Sequence, residues 1–66
     1  MNMSVITSNG RNLLHMMVTG YEYTFNELMK LCCYSDTELC LAVLYLIKEG
    51  KVKQYRTHDI YYQVVR

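Results

Sequence analysis

Few residues in this 66-residue chain have the types and spacing to do chemistry, and they fall into two groups. The first holds Cys32, Cys33, Cys40, His15 and His58. Three cysteines are an odd number for a disulfide framework, and adjacent cysteines bridge each other only with strain. No C-x2-C pair occurs, and neither histidine stands at a partnering distance from a cysteine, so no metal site and no cofactor is expected. The cysteines read as reduced small hydrophobes, with a redox-sensing thiol or an intersubunit bridge as the alternatives. Paired carboxylates, a nucleophile beside a base and a glycine-rich phosphate loop are also missing, so an enzyme is not expected. The second group is a run of cations, Lys48, Lys51, Lys53 and Arg56. Residues 48–66 add Arg66 against Glu49 and Asp59 and carry +3, whereas Arg11 and Lys30 against Glu22, Glu27, Asp36 and Glu38 leave the remainder at −2. Cations on a strand-like segment can meet phosphate, or they can blunt an exposed sheet edge.

The elements that must position these residues are legible locally. Ser35 and Glu38 form a capping box: the serine hydroxyl accepts from the Glu38 N–H while the glutamate reaches back to the Ser35 N–H. Asp36 and Glu38 at the start and Lys48 at the end suit the helix dipole, and Gly50 supplies a left-handed stop. Thr24 and Glu27 form a second capping box eleven residues earlier, opening a helix with Phe25, Leu28, Met29, Leu31 and Cys32 on its buried side. Two capped helices around so short a turn make a helix-turn-helix. A first helix is expected from Ser8 or Asn9 to Thr19-Gly20, with Leu13, Leu14, Met17 and Val18 as its apolar stripe. Residues 1–7 read either as the opening of that helix or as an extended arm. Tyr21-Glu22-Tyr23 alternates and can form a short third strand. Lys51–Tyr55 and Ile60–Val65 read as two strands around a turn at Arg56–Asp59, with Val52, Ile60, Tyr62 and Val64 facing the helices and Tyr55, Tyr61 and Val65 more exposed.

The whole is one α+β domain over residues 1–66: three helices and a C-terminal hairpin. Its 52% hydrophobic content permits a small core, close to the lower size limit for folding alone. The longest apolar run, Leu39 to Ile47, is far below the roughly 20 residues of a membrane span. The N-terminus lacks a basic start followed by an apolar run, so a cytoplasmic protein without membrane association is expected.

The stretch from Tyr23 to Cys32, the passage Leu46-Ile47-Lys48-Glu49-Gly50-Lys51-Val52 and the segment Tyr62-Gln63-Val64 resemble the second helix, the recognition-helix-to-wing passage and the second wing strand of winged helix-turn-helix regulators. The resemblance covers roughly residues 9 to 65, and in size it is to the minimal winged-helix proteins of bacteria, phages and plasmids, including small regulators of pilus operons. It implies a DNA-binding transcription regulator. Ser35–Glu49 would enter the major groove of double-stranded DNA, and Lys51–Arg56 would track the phosphates. The DNA-contacting residues would be Ser35, Thr37, Tyr45, Lys48, Lys51, Lys53 and Arg56.

At 100° per residue, Leu39, Ala42, Val43, Leu46 and Ile47 share one side of that helix, and Thr37, Glu38, Leu41, Leu44, Tyr45 and Lys48 the other. The second side has no arginine, asparagine or glutamine to read base edges. It carries an apolar patch that something must cover. Hence the alternative: a protein-interaction module, forming a homodimer or meeting a partner through Leu41, Leu44 and Tyr45, with Tyr55 and Tyr61.

Overall fold

A computed structural model describes residues 3–65. Three helices, α1 (Met3–Met16), α2 (Phe25–Cys32) and α3 (Asp36–Lys48), precede two strands, β1 (Val52–Arg56) and β2 (Ile60–Val64). The strands pair antiparallel, from Val52 opposite Val64 to Arg56 opposite Ile60. The layout is that of a winged helix: three helices followed by a two-stranded wing.

Both capping boxes form as their sequence implies. The Thr24 hydroxyl accepts from the Glu27 N–H at 3.2 Å, and Glu27 Oε1 accepts from the Thr24 N–H at 2.8 Å. At α3 the Ser35 hydroxyl and the Glu38 carboxylate make the same exchange at 3.2 and 3.1 Å. Each box satisfies two backbone donors that a helix start leaves unpaired. Gly50 adopts φ +73°, the left-handed conformation that ends α3, and its N–H bonds Ile47 O at 3.0 Å. The end of α2 is less expected. Cys33 takes φ 59° there, a conformation that glycine adopts more easily.

The first helix departs most from the sequence reading. It begins at Met3 rather than at Ser8 or Asn9, so Val5 and Ile6 are helical and residues 3–7 are not an arm; Met1 and Asn2 lie outside the described residues. It also stops at Met16, short of Thr19-Gly20. Val18, expected in the apolar stripe, is exposed beyond the helix end. The stripe that packs runs instead through Ile6, Gly10, Leu13 and Met17, spaced at helical intervals. Gly10 is buried in its middle.

The core is Leu13, Met17, Tyr23, Leu28, Cys32, Leu39, Ala42, Val43, Leu46 and Val52, ringed by half-buried Leu14, Phe25, Met29, Tyr34, Tyr45, Ile47, Tyr62 and Val64. Leu13, Leu28, Leu39 and Leu46 are fully enclosed. Truncating one such leucine to alanine costs about 2–5 kcal/mol, comparable with the few kcal/mol that a core this small supplies. Leu31, assigned to the buried side of α2, is instead exposed at its edge. Ile60 is half-buried at the far end of the wing, beyond the helices.

A third strand forms in its shortest version, one residue long. Tyr23 bridges Tyr62 antiparallel; the Tyr23 N–H donates to Tyr62 O at 2.9 Å and the Tyr62 N–H to Tyr23 O at 2.8 Å. The sheet order is therefore Tyr23, β2, β1. Two side-chain bonds reinforce this junction: the Val18 N–H donates to the Tyr23 hydroxyl at 2.8 Å, and Gln63 Nε2 donates to Gly20 O at 2.8 Å.

Candidate nucleic-acid interface

Lys48 ends α3, Lys51 follows the Gly50 stop, and Lys53 and Arg56 lie on β1. All four are exposed. Among the described residues none of them is ion-paired to a carboxylate. Exposed cations thus run from the last turn of α3 along the first wing strand, Lys53 on its outer face and Arg56, opposite Ile60, on the other, while Arg66 lies outside the described residues. Lys53 Nζ sits 5.8 Å from the centroid of the Tyr55 ring, a cation–π distance.

At the opposite end of α3, Ser35 and Thr37 are exposed. The Ser35 oxygen is occupied as an acceptor in the cap, but its O–H can still donate outward. Glu38 spends its carboxylate on the Ser35 N–H, which leaves Asp36 as the free acid of the first turn. A phosphate approaching this helix start meets backbone dipole and hydroxyl donors, with the two opposing charges of Asp36 and Glu38.

The middle of α3 is arranged differently from a base-reading surface. Tyr45 is half-buried against α1: a Cβ built on Gly10 would lie 2.6 Å from Tyr45 Cδ2. The first turns of α1 then run beside Leu41 and Leu44. Met3, Ile6, Leu41, Leu44, Tyr45 and Lys48 line a shallow groove of about 180 Å³ between the two helices. Leu41 is half-buried there, whereas Leu44 and Met3 stay 54% and 64% exposed. Much of the cover that the apolar patch requires is thus supplied within the chain. Tyr45 has its ring in the α1–α3 contact, beside Lys48 at the rim of the same groove.

Tyr55 and Tyr61 form a separate group. Strand alternation puts Val52, Tyr62 and Val64 against the helices and Lys53, Tyr55, Tyr61 and Gln63 on the outer sheet face. Tyr55 and Tyr61 are cross-strand partners with ring centroids 6.0 Å apart and planes tilted by 33°. They do not join Leu41, Leu44 and Tyr45 in one patch. Glu22, just before the Tyr23 bridge, lies on the same side of the sheet as Tyr55. Desolvation first, then the hydrogen bond and charge of Glu22 and the neighbouring Tyr61, push the Tyr55 hydroxyl up to about 12. Desolvation, with a smaller contribution from Cys40, also raises Tyr62.

The sequence reading missed one further surface. Val18, Tyr21, Tyr23, Glu27, Lys30 and Leu31 line an open groove between the α1–α2 turn and α2. Its only sequence signal was the apolar Val18 and Leu31, both placed in the core. Cys32 is buried, Cys33 and Cys40 are exposed, and all three are free thiols. Among the described residues no three metal-ligating side chains come together. No helix among them is long and apolar enough to cross a membrane.

Compared with known proteins, the chain matches no family model, no curated protein and no solved structure. The arrangement described above therefore carries the functional argument.

Proposed function

We propose that this chain is a small winged-helix DNA-binding regulator that holds double-stranded DNA chiefly by its phosphates. The observation that carries this reading is the run of exposed cations Lys48, Lys51, Lys53 and Arg56 from the end of α3 along β1, none of them ion-paired among the described residues. Ser35 and Thr37 add hydroxyl donors at the start of α3. With Tyr45 turned into the α1–α3 contact, direct base readout from α3 is sparse. Phosphate contacts position a protein on DNA but carry no sequence information, so discrimination rests on DNA shape or on a second copy bound to a neighbouring half-site.

Fluorescence anisotropy with a labelled mixed-sequence duplex tests the proposal. Four phosphate contacts give a log–log salt slope of about −3.6, a loss of roughly a hundredfold between 50 and 200 mM salt. Replacing Lys51, Lys53 and Arg56 together by glutamine flattens that slope and abolishes binding at physiological salt. No binding of the unmodified protein even at low salt overturns the reading.

One observation favours a second reading, in which the chain is a protein-interaction module. Leu44 and Met3 stand exposed side by side at the mouth of the α1–α3 groove, as an interface anchor would. In that case Leu44→Glu disrupts a homodimer or releases a protein partner in sedimentation experiments. The glutamine triple variant then leaves association unchanged.

A further inference from the structure

We propose that the outer face of the wing is a stacking platform for unpaired nucleobases, so that duplex DNA flanked by a single strand binds better than blunt duplex. The inference rests on the DNA-binding reading and names its substrate class. Tyr55 and Tyr61 are paired across the strands, 6.0 Å apart with planes only 33° from parallel. This face points away from the helices, whose contact with the sheet is made by Val52, Tyr62 and Val64. The sheet order places β2 between β1 and the Tyr23 segment. Glu22, the residue before the Tyr23 bridge, lies across β2 from Tyr55.

Rings packed on each other across paired strands lose little further freedom when a base settles on them, which favours binding. Half-exposed aromatic rings on an outer sheet face, with cations beside them, suit single-stranded nucleic acid: bases stack on the rings and phosphates meet the cations. The charges are ordered accordingly. Lys53 lies over Tyr55 on the β1 side, with Lys51 just before that strand, whereas Glu22 lies at the opposite edge of the sheet. Phosphates are drawn toward β1 and neutral bases toward the tyrosines.

The test compares a blunt duplex with the same duplex carrying a short oligothymidine overhang, by anisotropy at one salt concentration. A base stacked on a protein ring is worth about tenfold in affinity, so the overhang tightens binding by about that factor. Replacing Tyr55 and Tyr61 together by leucine removes the increment and leaves blunt-duplex binding as it was. Tyr55→Phe keeps the increment, because the ring remains. A 5-iodouracil placed in the overhang photo-cross-links to Tyr55 or Tyr61 of the unmodified protein, a readout independent of how the leucine variant folds. Blunt-duplex binding without an overhang increment overturns this proposal alone, as does an increment that survives the double substitution or a cross-link that maps elsewhere. Failure to bind either DNA overturns the DNA reading with it.

Discussion

Gly10 and Tyr45 fit one against the other: the tyrosine ring of α3 fills the space where a side chain at Gly10 of α1 would begin. A Cβ there would stand 2.6 Å from Tyr45 Cδ2 and 3.2 Å from Cε2. Alanine in a helix interior is normally worth up to about 1 kcal/mol over glycine. Here overpacking, typically about 1–3 kcal/mol, opposes that gain. Gly10→Ala is therefore expected to lower stability by about 1 kcal/mol in chemical denaturation. In a Tyr45→Ala background the same change should stabilise. Additive effects in that double-mutant cycle would show that the contact is not the constraint.

Tyr23 is a buried tyrosine whose hydroxyl has one partner, the Val18 N–H at 2.8 Å. Tyr23→Phe preserves the ring and its packing but strands that donor at the start of the α1–α2 turn. An unsatisfied donor costs about 1–3 kcal/mol when buried. Val18 is exposed and water can replace part of the bond, so a loss near 1 kcal/mol is expected. Amide exchange should localise it, with the Val18 N–H losing protection and the α3 amides keeping theirs.

Cys33 pays the strain of a left-handed residue with a side chain, at φ 59°. That side chain is exposed, so glycine forfeits no packing. Cys33→Gly should raise stability by about 0.5–1 kcal/mol, seen as a higher denaturation midpoint at unchanged m-value. The same substitution at Cys32, which is buried, should destabilise.

The raised phenol of Tyr55 makes a prediction at high pH. Its folded value is about 12 against an ordinary 10.0. Below pH 10 the group is protonated in both the folded and the unfolded chain, and its stabilising contribution is fully present. Between pH 10 and 12 the unfolded chain releases the proton more readily, so stability falls as pH rises. Ultraviolet titration of the seven tyrosines should show a late phase. Glu22→Gln should move the Tyr55 part of that phase down and leave the Tyr62 part in place. A titration unchanged by Glu22→Gln would mean that the carboxylate does not reach the phenol.

What could be read from the sequence was whatever local chemistry decides. The two capping boxes and the Gly50 stop each depend on a few consecutive side chains, and they set the bounds of α2 and α3. The two strands followed from alternation, but the turn is one residue shorter than Arg56–Asp59: Arg56 belongs to β1 and pairs with Ile60, which sets Tyr55 against Tyr61. The start of α1 was hidden because Gly10, polar Arg11 and Asn12 resemble a first turn. Only the ring of Tyr45, brought in from α3, explains why a glycine belongs in a buried stripe. For the same reason the outward face of α3 was drawn with Tyr45 on it: a helical wheel cannot know which neighbour lies alongside. The run of cations after α3 was legible as composition. The meeting of Glu22 with Tyr55 was not, because it depends on Tyr23 lining up beside β2.

The Tyr23–Tyr62 bridge also bears on how the molecule comes together in time. It is a single stitch between an early and a late part of the chain, and the long loop it closes encloses α2, α3 and β1. Closing so long a loop is entropically costly and is repaid only when the core beneath it has assembled. The wing is thus added last, yet it secures the turn after α1 through Tyr23 and Gln63. A chain cut before β2 loses the stitch and with it the hold on the turn after α1, while α1 keeps its packing against α3. The final strand is the latch of that turn.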